Sequence, residues 1–290
     1  MLKRINWGAI LITFTWLVCL GGLVVLMSFI EIKKSESACA KVEVILTGNQ
    51  FFIERAEVDQ ILNSKNGLLV GRKLSDINIQ SLEDKLKANP FIGYAKVYID
   101  MNGVIQAEIK QRVPILRVIN LAGQDFYIDE NGLKIPLSDH FTARVLVANG
   151  AILEDFNGHV GALRTQMGVD LFNTAKFIAA DSLWNEQIVQ IYVNDNKDMT
   201  LMPRVGNQKI ILGNAANLQE KFRNLLLLYK NEMPKIGWNA YSAINLKYKG
   251  QIVCERRDSS LKQSVSPILI GKDSLQTQQK LIQDSIKNTL

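Results

Sequence analysis

The chain has 290 residues, 47% hydrophobic and 21% charged, a composition that fits a globular protein of one or two domains. Its formal net charge of +6 divides into +2 on each of residues 1–40, 41–256 and 257–290, so the long middle part does not concentrate basic charge as a nucleic-acid-binding domain does. Three cysteines, Cys19, Cys39 and Cys254, make no C-x-x-C and no metal-ligand spacing, so unpaired thiols are expected rather than a disulfide framework.

In chain order, a short head at 1–7 carries Lys3 and Arg4, and residues 8–30 then run "GAILITFTWLVCLGGLVVLMSFI" without a charge. As a helix this run measures about 34 Å, enough to cross a hydrocarbon core with some tilt. A signal peptide has a shorter apolar region, roughly 7–15 residues, with a small-residue cleavage site close behind it. The expectation is therefore an uncleaved single-pass anchor at 8–30, with the N-terminus cytoplasmic and the bulk of the chain outside the inner membrane. A polar stalk at 31–40 follows.

"KVEVILTG" alternates Val42, Val44 and Leu46 against Lys41, Glu43, Ile45 and Thr47 and predicts a strand with one strongly apolar face. Residues 54–62 read as a helix. Asn78 is placed to cap a second helix, "IQSLEDKLKA", with Ile79, Leu82 and Leu86 on one face, and Asn89-Pro90 stops it. "YAKVYID" and "VIQAEIK" alternate as strands around Asn102-Gly103, a pair that suits a two-residue hairpin turn. The predicted order is β-α-α-β-β, a compact α+β module at 41–113 whose helices cover one face of a small sheet.

Beyond Pro114 short apolar runs alternate with turn residues: "ILRVIN", "FYIDENGLKIPL", "ARVLVANG", "EQIVQIYVN", "MTLMPRVG" and "QKIILG". Two helices are expected among them, near 161–180 and 217–232, before a last β segment at 243–256. This predicts a mainly antiparallel β domain with two helices at 114–256, and an unstructured tail at 257–290 rich in Gln, Ser and Lys.

Several of these runs resemble the cell-division family FtsQ/DivIB. Pro90, Phe91, Ile92, Ala95 and Val97, then Ile109, Gln111, Arg112 and Pro114, match the family's POTRA module and its exit, with Gln111 where Glu is commoner. "VILTGNQFFIERAEV" resembles the family's run into that module, and "FYIDENGLKI" its second-domain signature. "INLKYKG" resembles the family's "[IV]-D-[LM]-R-Y-x-x-G", with Asn245 in place of Asp and Lys247 in place of Arg. The resemblance implies a bitopic divisome scaffold at the septum that recruits FtsB and, through it, FtsL. It further implies that the last strand of the β domain is an exposed edge to which a partner adds a strand. Carried over by position, Lys247 and Tyr248 would be side-chain contacts, and Lys249, Gly250 and Gln251 would supply backbone pairing.

Little in the sequence speaks for catalysis. His140 and His159 sit in turn-rich loops, and Asp129-Glu130 precedes Asn131-Gly132, where turn formation explains the acids better than general acid–base work. No phosphate-cradling glycine loop, G-x-S-x-G or H-E-x-x-H occurs, and no cofactor, nucleic acid or small-molecule substrate is expected. Two other readings remain at this level. One is a POTRA-containing envelope or secretion assembly protein that chaperones substrates, for which a single module and no barrel is a poor match. The other is a membrane-tethered wall hydrolase, for which the sequence nominates no nucleophile.

Overall fold

The computed structural model of the chain describes residues 14–26, 38–48, 52–63 and 67–257. Residues 14–26 form an exposed apolar helix, α1; the remainder of 8–30, the head, most of the stalk and the tail from 258 lie outside the described residues. Among the described residues no helix is long and apolar enough to cross a membrane.

The first module is built as its patterns predict. β1 (Lys41–Thr47), α2 (Arg55–Asn63), α3 (Ile79–Lys87), β2 (Ile92–Ile99) and β3 (Val104–Gln111) follow one another, with a 3₁₀ turn at Leu74–Asp76. The sheet order is β1-β3-β2, with β1 parallel and β2 antiparallel to the central β3. Asn78 caps α3 by accepting from the Ser81 N–H at 2.9 Å. Leu82 and Leu86 turn inward from α3 onto Ala95, Val97, Ile105, Ala107 and Ile109, and Val58 and Leu62 do the same from α2. Each fully buried Leu or Ile contributes roughly 1.5–3 kcal/mol, so this stripe and the inner sheet face hold the module together.

The hairpin turn differs from the expected two-residue form. The loop is three residues, 101–103; Gly103 alone is left-handed (φ 77°), and Asp100 Oδ1 accepts from the N–H groups of Asn102 and Val104. The short carboxylate holds a tight turn closed and leaves the left-handed bulge position to Gly103. The same device recurs in the second module at Asn120 with Gly123 and at Asp129 with Gly132. In a fourth copy Asn194 holds the turn, but the left-handed position is Lys197 (φ 63°). Lys197→Gly relieves that conformation and is expected to stabilise the protein by about 0.5–1 kcal/mol, read as a raised midpoint in chemical denaturation.

The second module is one ten-stranded sheet in the order β13-β12-β11-β10-β9-β7-β4-β5-β6-β8. Its strands are β4 (Pro114–Ile119), β5 (Asp125–Asp129), β6 (Leu133–Ile135), β7 (Leu146–Gly150), β8 (Gly161–Ala162), β9 (Ile188–Val193), β10 (Met199–Pro203), β11 (Lys209–Gly213), β12 (Tyr241–Asn245) and β13 (Val253–Arg256). Most neighbours are antiparallel, as expected, but β4–β7, β7–β9 and β11–β12 are parallel. Four helices occur rather than two: α4 (Gln166–Ala179), α5 (Ser182–Gln187), α6 (Leu218–Asn231) and the single turn α7 (Met233–Ile236). The helix expected at 161–180 starts only at Gln166, because Thr165 caps it and Gly161–Ala162 pairs with β6. α5 has no counterpart among the expected elements: its six residues are too few to show a helical period, and its cap, Asp181, lies just beyond the end of the helix expected at 161–180.

These helices lie on one sheet face. Leu171, Ala175 and Ile178 of α4, Trp184 of α5, and Phe222, Leu225 and Tyr229 of α6 pack on Leu116, Phe126, Ile191, Leu201, Leu212 and Ile244. A smaller aromatic cluster joins the two modules. Phe52 stacks on Phe91 (centroids 5.3 Å apart) and meets Tyr127 and Phe141 of the second module edge-on at 5.9 and 5.0 Å. Beside it Arg112 donates to the fully buried Asp129 at 2.9 Å and to the Pro90 carbonyl. Gln111 Oε1 accepts from the N–H groups of Phe52 and Ile53 while its Nε2 donates to the Ile53 carbonyl. A glutamate there could accept but not donate, which accounts for glutamine at this buried position.

Candidate partner-binding edge

The sheet order corrects the expected edge. β12 is not terminal: β11 lies parallel on one side of it, and β13 lies antiparallel on the other, with Ile244 opposite Cys254 and Asn245 opposite Val253. β12 ends at Asn245, so Lys247, Tyr248, Lys249, Gly250 and Gln251 sit not on a strand but in the loop joining β12 to β13. The reason is local. Asn245 Oδ1 accepts from the Lys247 N–H at 3.0 Å, a side-chain turn that diverts the chain, and Gly250 (φ 71°) completes the reversal. Asparagine serves this role as well as aspartate does. The strand with a free flank at this end, among the described residues, is β13. It is four residues long, with Cys254 turned toward the core and Val253, Glu255 and Arg256 exposed. A short, charged edge is guarded against indiscriminate pairing and still offers N–H and C=O groups to a matched strand.

The loop beside this edge is held by residues far away in sequence. Lys247 Nζ pairs with Asp198 Oδ2 at 2.6 Å, so its charge is already engaged within the chain. Its side chain lies across Gly213, a left-handed glycine (φ 79°) where an added Cβ would come 2.9 Å from Lys247 Cγ. Lys221 of α6 donates to the Leu212 and Asn214 carbonyls, both at 2.9 Å. Burial pushes the Lys221 pKa down, against the pull of Asp198 and Asp170. Tyr248 stands half out in solvent, 51% exposed, over a shallow cavity of about 60 Å³ bounded by Lys221, Asn224, Lys249 and Ile252. The sequence motif located the loop, but Asp198, Gly213 and Lys221 carried no signal tying them to it. Cys254 and Cys39 are free thiols, and burial raises the pKa of both.

Elsewhere the charged groups have structural work. Asp129 accepts from the N–H groups of Asn131 and Leu133 at Oδ1 and from Arg112 at Oδ2, which engages both oxygens and fits the turn role over acid–base work. His140 is exposed, 3.6 Å from Glu57, and His159 is exposed. The densest buried polar site went unread in the sequence: Lys134 and Glu154 pair at 2.6 Å with both side chains inside. Glu154 also accepts from the Arg164 and Thr165 N–H groups and the Thr165 hydroxyl, and so anchors the start of α4. Among the described residues no group of three or more His, Cys, Asp or Glu side chains is placed to hold a metal.

The described residues thus form a small three-stranded α+β module that leads directly into a helix-backed ten-stranded sheet. Two family models match the chain one after the other: a POTRA-like domain over residues 37–110, and the FtsQ/DivIB, C-terminal related domain over 113–255. The chain belongs to the FtsQ/DivIB family, division proteins of a scaffold type, and this points to a role in cell division. No curated protein matches the chain.

Proposed function

We propose that this protein is an inner-membrane divisome scaffold that recruits an FtsB–FtsL pair to the septum and so links early and late division proteins. The apolar run at 8–30 supports a single-pass anchor, with both modules on the extracytoplasmic side. The observation that carries the reading is β13, a strand with one flank free among the described residues, beside a loop that presents Tyr248 and Lys249 to solvent. A partner strand adds to β13, while Tyr248 packs on the incoming chain and Lys249 meets an acid. Backbone pairing supplies affinity and the side chains supply selectivity.

Lys247 is a poor position for the test, since reversing its charge also breaks the contact with Asp198. Tyr248→Ala with Lys249→Glu, in the full-length chain in detergent, is expected to weaken capture of the FtsB–FtsL pair about 30-fold, the loss of a hot spot of about 2 kcal/mol. Undiminished capture removes Tyr248 and Lys249 as partner contacts, and undiminished capture after Cys254→Pro, which breaks the backbone of β13, removes the strand. Depletion is expected to give filamentous cells, and normal division would remove the scaffold reading as a whole.

A further inference from the structure

Three large apolar side chains stand in solvent at the end of the first module where the chain arrives. Leu68, Val70 and Met101 stand 75%, 53% and 104% exposed, although Leu69 between the first two is buried. Hydrogen bonds bring them to one end. Cys39 N–H donates to the Arg72 carbonyl at 2.7 Å, Gly71 N–H to the Cys39 carbonyl at 2.8 Å, and Ala40 N–H to the Gly103 carbonyl at 3.1 Å. Residues 38–40 therefore lie between the 67–73 loop, which presents Leu68 and Val70 to solvent, and the 101–103 turn, which presents Met101. β1 and β3 run parallel away from this end, from Lys41 beside Val104 to Thr47 beside Lys110. The eight residues of β3 span about 26 Å. The second module begins at the far end, after Gln111. The apolar tip thus faces away from the second module and lies at the end where Ala38 enters the first.

We propose that this tip is a membrane foot: Leu68, Val70 and Met101 insert into the lipid headgroup–acyl boundary of the leaflet from which the chain emerges. The proposal rests on the reading of 8–30 as an anchor. Seven residues, 31–37, separate that run from Ala38 and reach at most about 25 Å, so an anchored chain cannot hold the tip far from the bilayer. Exposed Leu, Val and Met side chains held there gain by leaving water for the interface, as an interfacial helix does, and the tether makes the second contact intramolecular. Lys73, exposed in the same loop, lies at the level of the lipid phosphates. The foot fixes the height and tilt of the first module, and through the Phe52 cluster those of the β13 edge.

The test uses the full chain in vesicles of phosphatidylethanolamine and phosphatidylglycerol, with Cys19, Cys39 and Cys254 changed to alanine. An environment-sensitive dye is placed by Met101→Cys, by Leu68→Cys or, as a control, by Leu121→Cys, an exposed site in the β4–β5 turn. Nitroxide-bearing lipids are expected to quench the dye at 101 and 68 at least twofold more than at 121. Equal quenching at all three sites in chains that float with the vesicles overturns the foot and leaves the anchor standing. A blue shift at 101 without lipid quenching also overturns it, in favour of contact between copies of the chain. Chains that fail to float remove the anchor, and the foot with it. Because Cys39 is buried, the unaltered chain is also cross-linked with a diazirine-bearing phospholipid. Adducts are expected on the peptides holding Leu68 and Met101, and their absence there overturns the proposal.

Discussion

Glu154→Ala is expected to destabilise the protein by about 3–5 kcal/mol, because it strands the Lys134 ammonium inside the sheet module. A domain of this size is stable by only about 5–15 kcal/mol, so the loss is a large share of the total. It should appear as a fall of about 10 °C in the unfolding midpoint. Three effects add at this one residue. The ion pair is lost, the N–H groups of Arg164 and Thr165 lose their acceptor, and a space opens where Gly168 had been kept small; a Cβ on Gly168 would come 2.6 Å from Glu154 Oε2. Glu154→Gln keeps the shape and some of the acceptors, so it should cost less than alanine. A midpoint within 1–2 °C of the parent protein for both variants would show that the pair is not the anchor of α4.

The same carboxylate makes a prediction about pH. Burial pushes the Glu154 pKa up, but the bonds from Lys134, Thr165 and Arg164 outweigh it and leave the value below the ordinary 4.5. The folded state therefore favours the charged form. Its contribution is complete above about pH 4.5, where the unfolded chain is also ionised, and fades as pH falls through the lower folded value. The stability gap between the parent protein and Glu154→Gln should be constant near neutrality and narrow in acid. A gap that widened as pH fell would reverse the assignment.

The sequence made local elements legible and left their long-range partners hidden, for identifiable reasons. The α+β order of the first module could be read because alternation at Ala95, Val97 and Ile99 and the cap at Asn78 are signals carried within a few residues. The turns could be placed, but their three-residue form depended on Asp100 and Asp129, which reach forward to close them. Among the described residues the sheet ends one strand later than expected, at β13 rather than β12. "INLKYK" alternates like a strand, and only the hydrogen bond from Lys247 N–H to Asn245 shows that the chain leaves the sheet before Lys247. The pairs Lys134–Glu154 and Lys247–Asp198 span 20 and 49 residues, and neither charge stands out from solvated neighbours in a linear reading. The aromatic joint was hidden likewise, since Phe52, Phe91 and Tyr127 fall in three separate motifs.

That joint carries the second large expected effect. Phe52→Ala should cost about 3–5 kcal/mol, as core Phe truncations do, and the loss should fall on the contact between modules more than on either core. Phe52 is 2% exposed and touches aromatic rings from both sides. Each module retains its own cluster, one around Val97 and Ile109 and the other around Phe126 and Phe222, so each can stay folded when the joint fails. Calorimetry should then resolve one transition into two. Spin-label distances between Gln80 on α3 and Lys209 on β11 should broaden from a single narrow population. The buried pair Arg112–Asp129 continues to tie the modules after Phe52 is truncated, so the modules should sway about this pivot rather than separate. Adding Arg112→Ala releases the pivot, and by the same reasoning it should broaden the distribution further than either change alone. A distribution as narrow in Phe52→Ala as in the parent would mean that the ion pair and the backbone at 111–114 alone set the angle. The position of β13 relative to the first module would then owe nothing to the aromatic cluster.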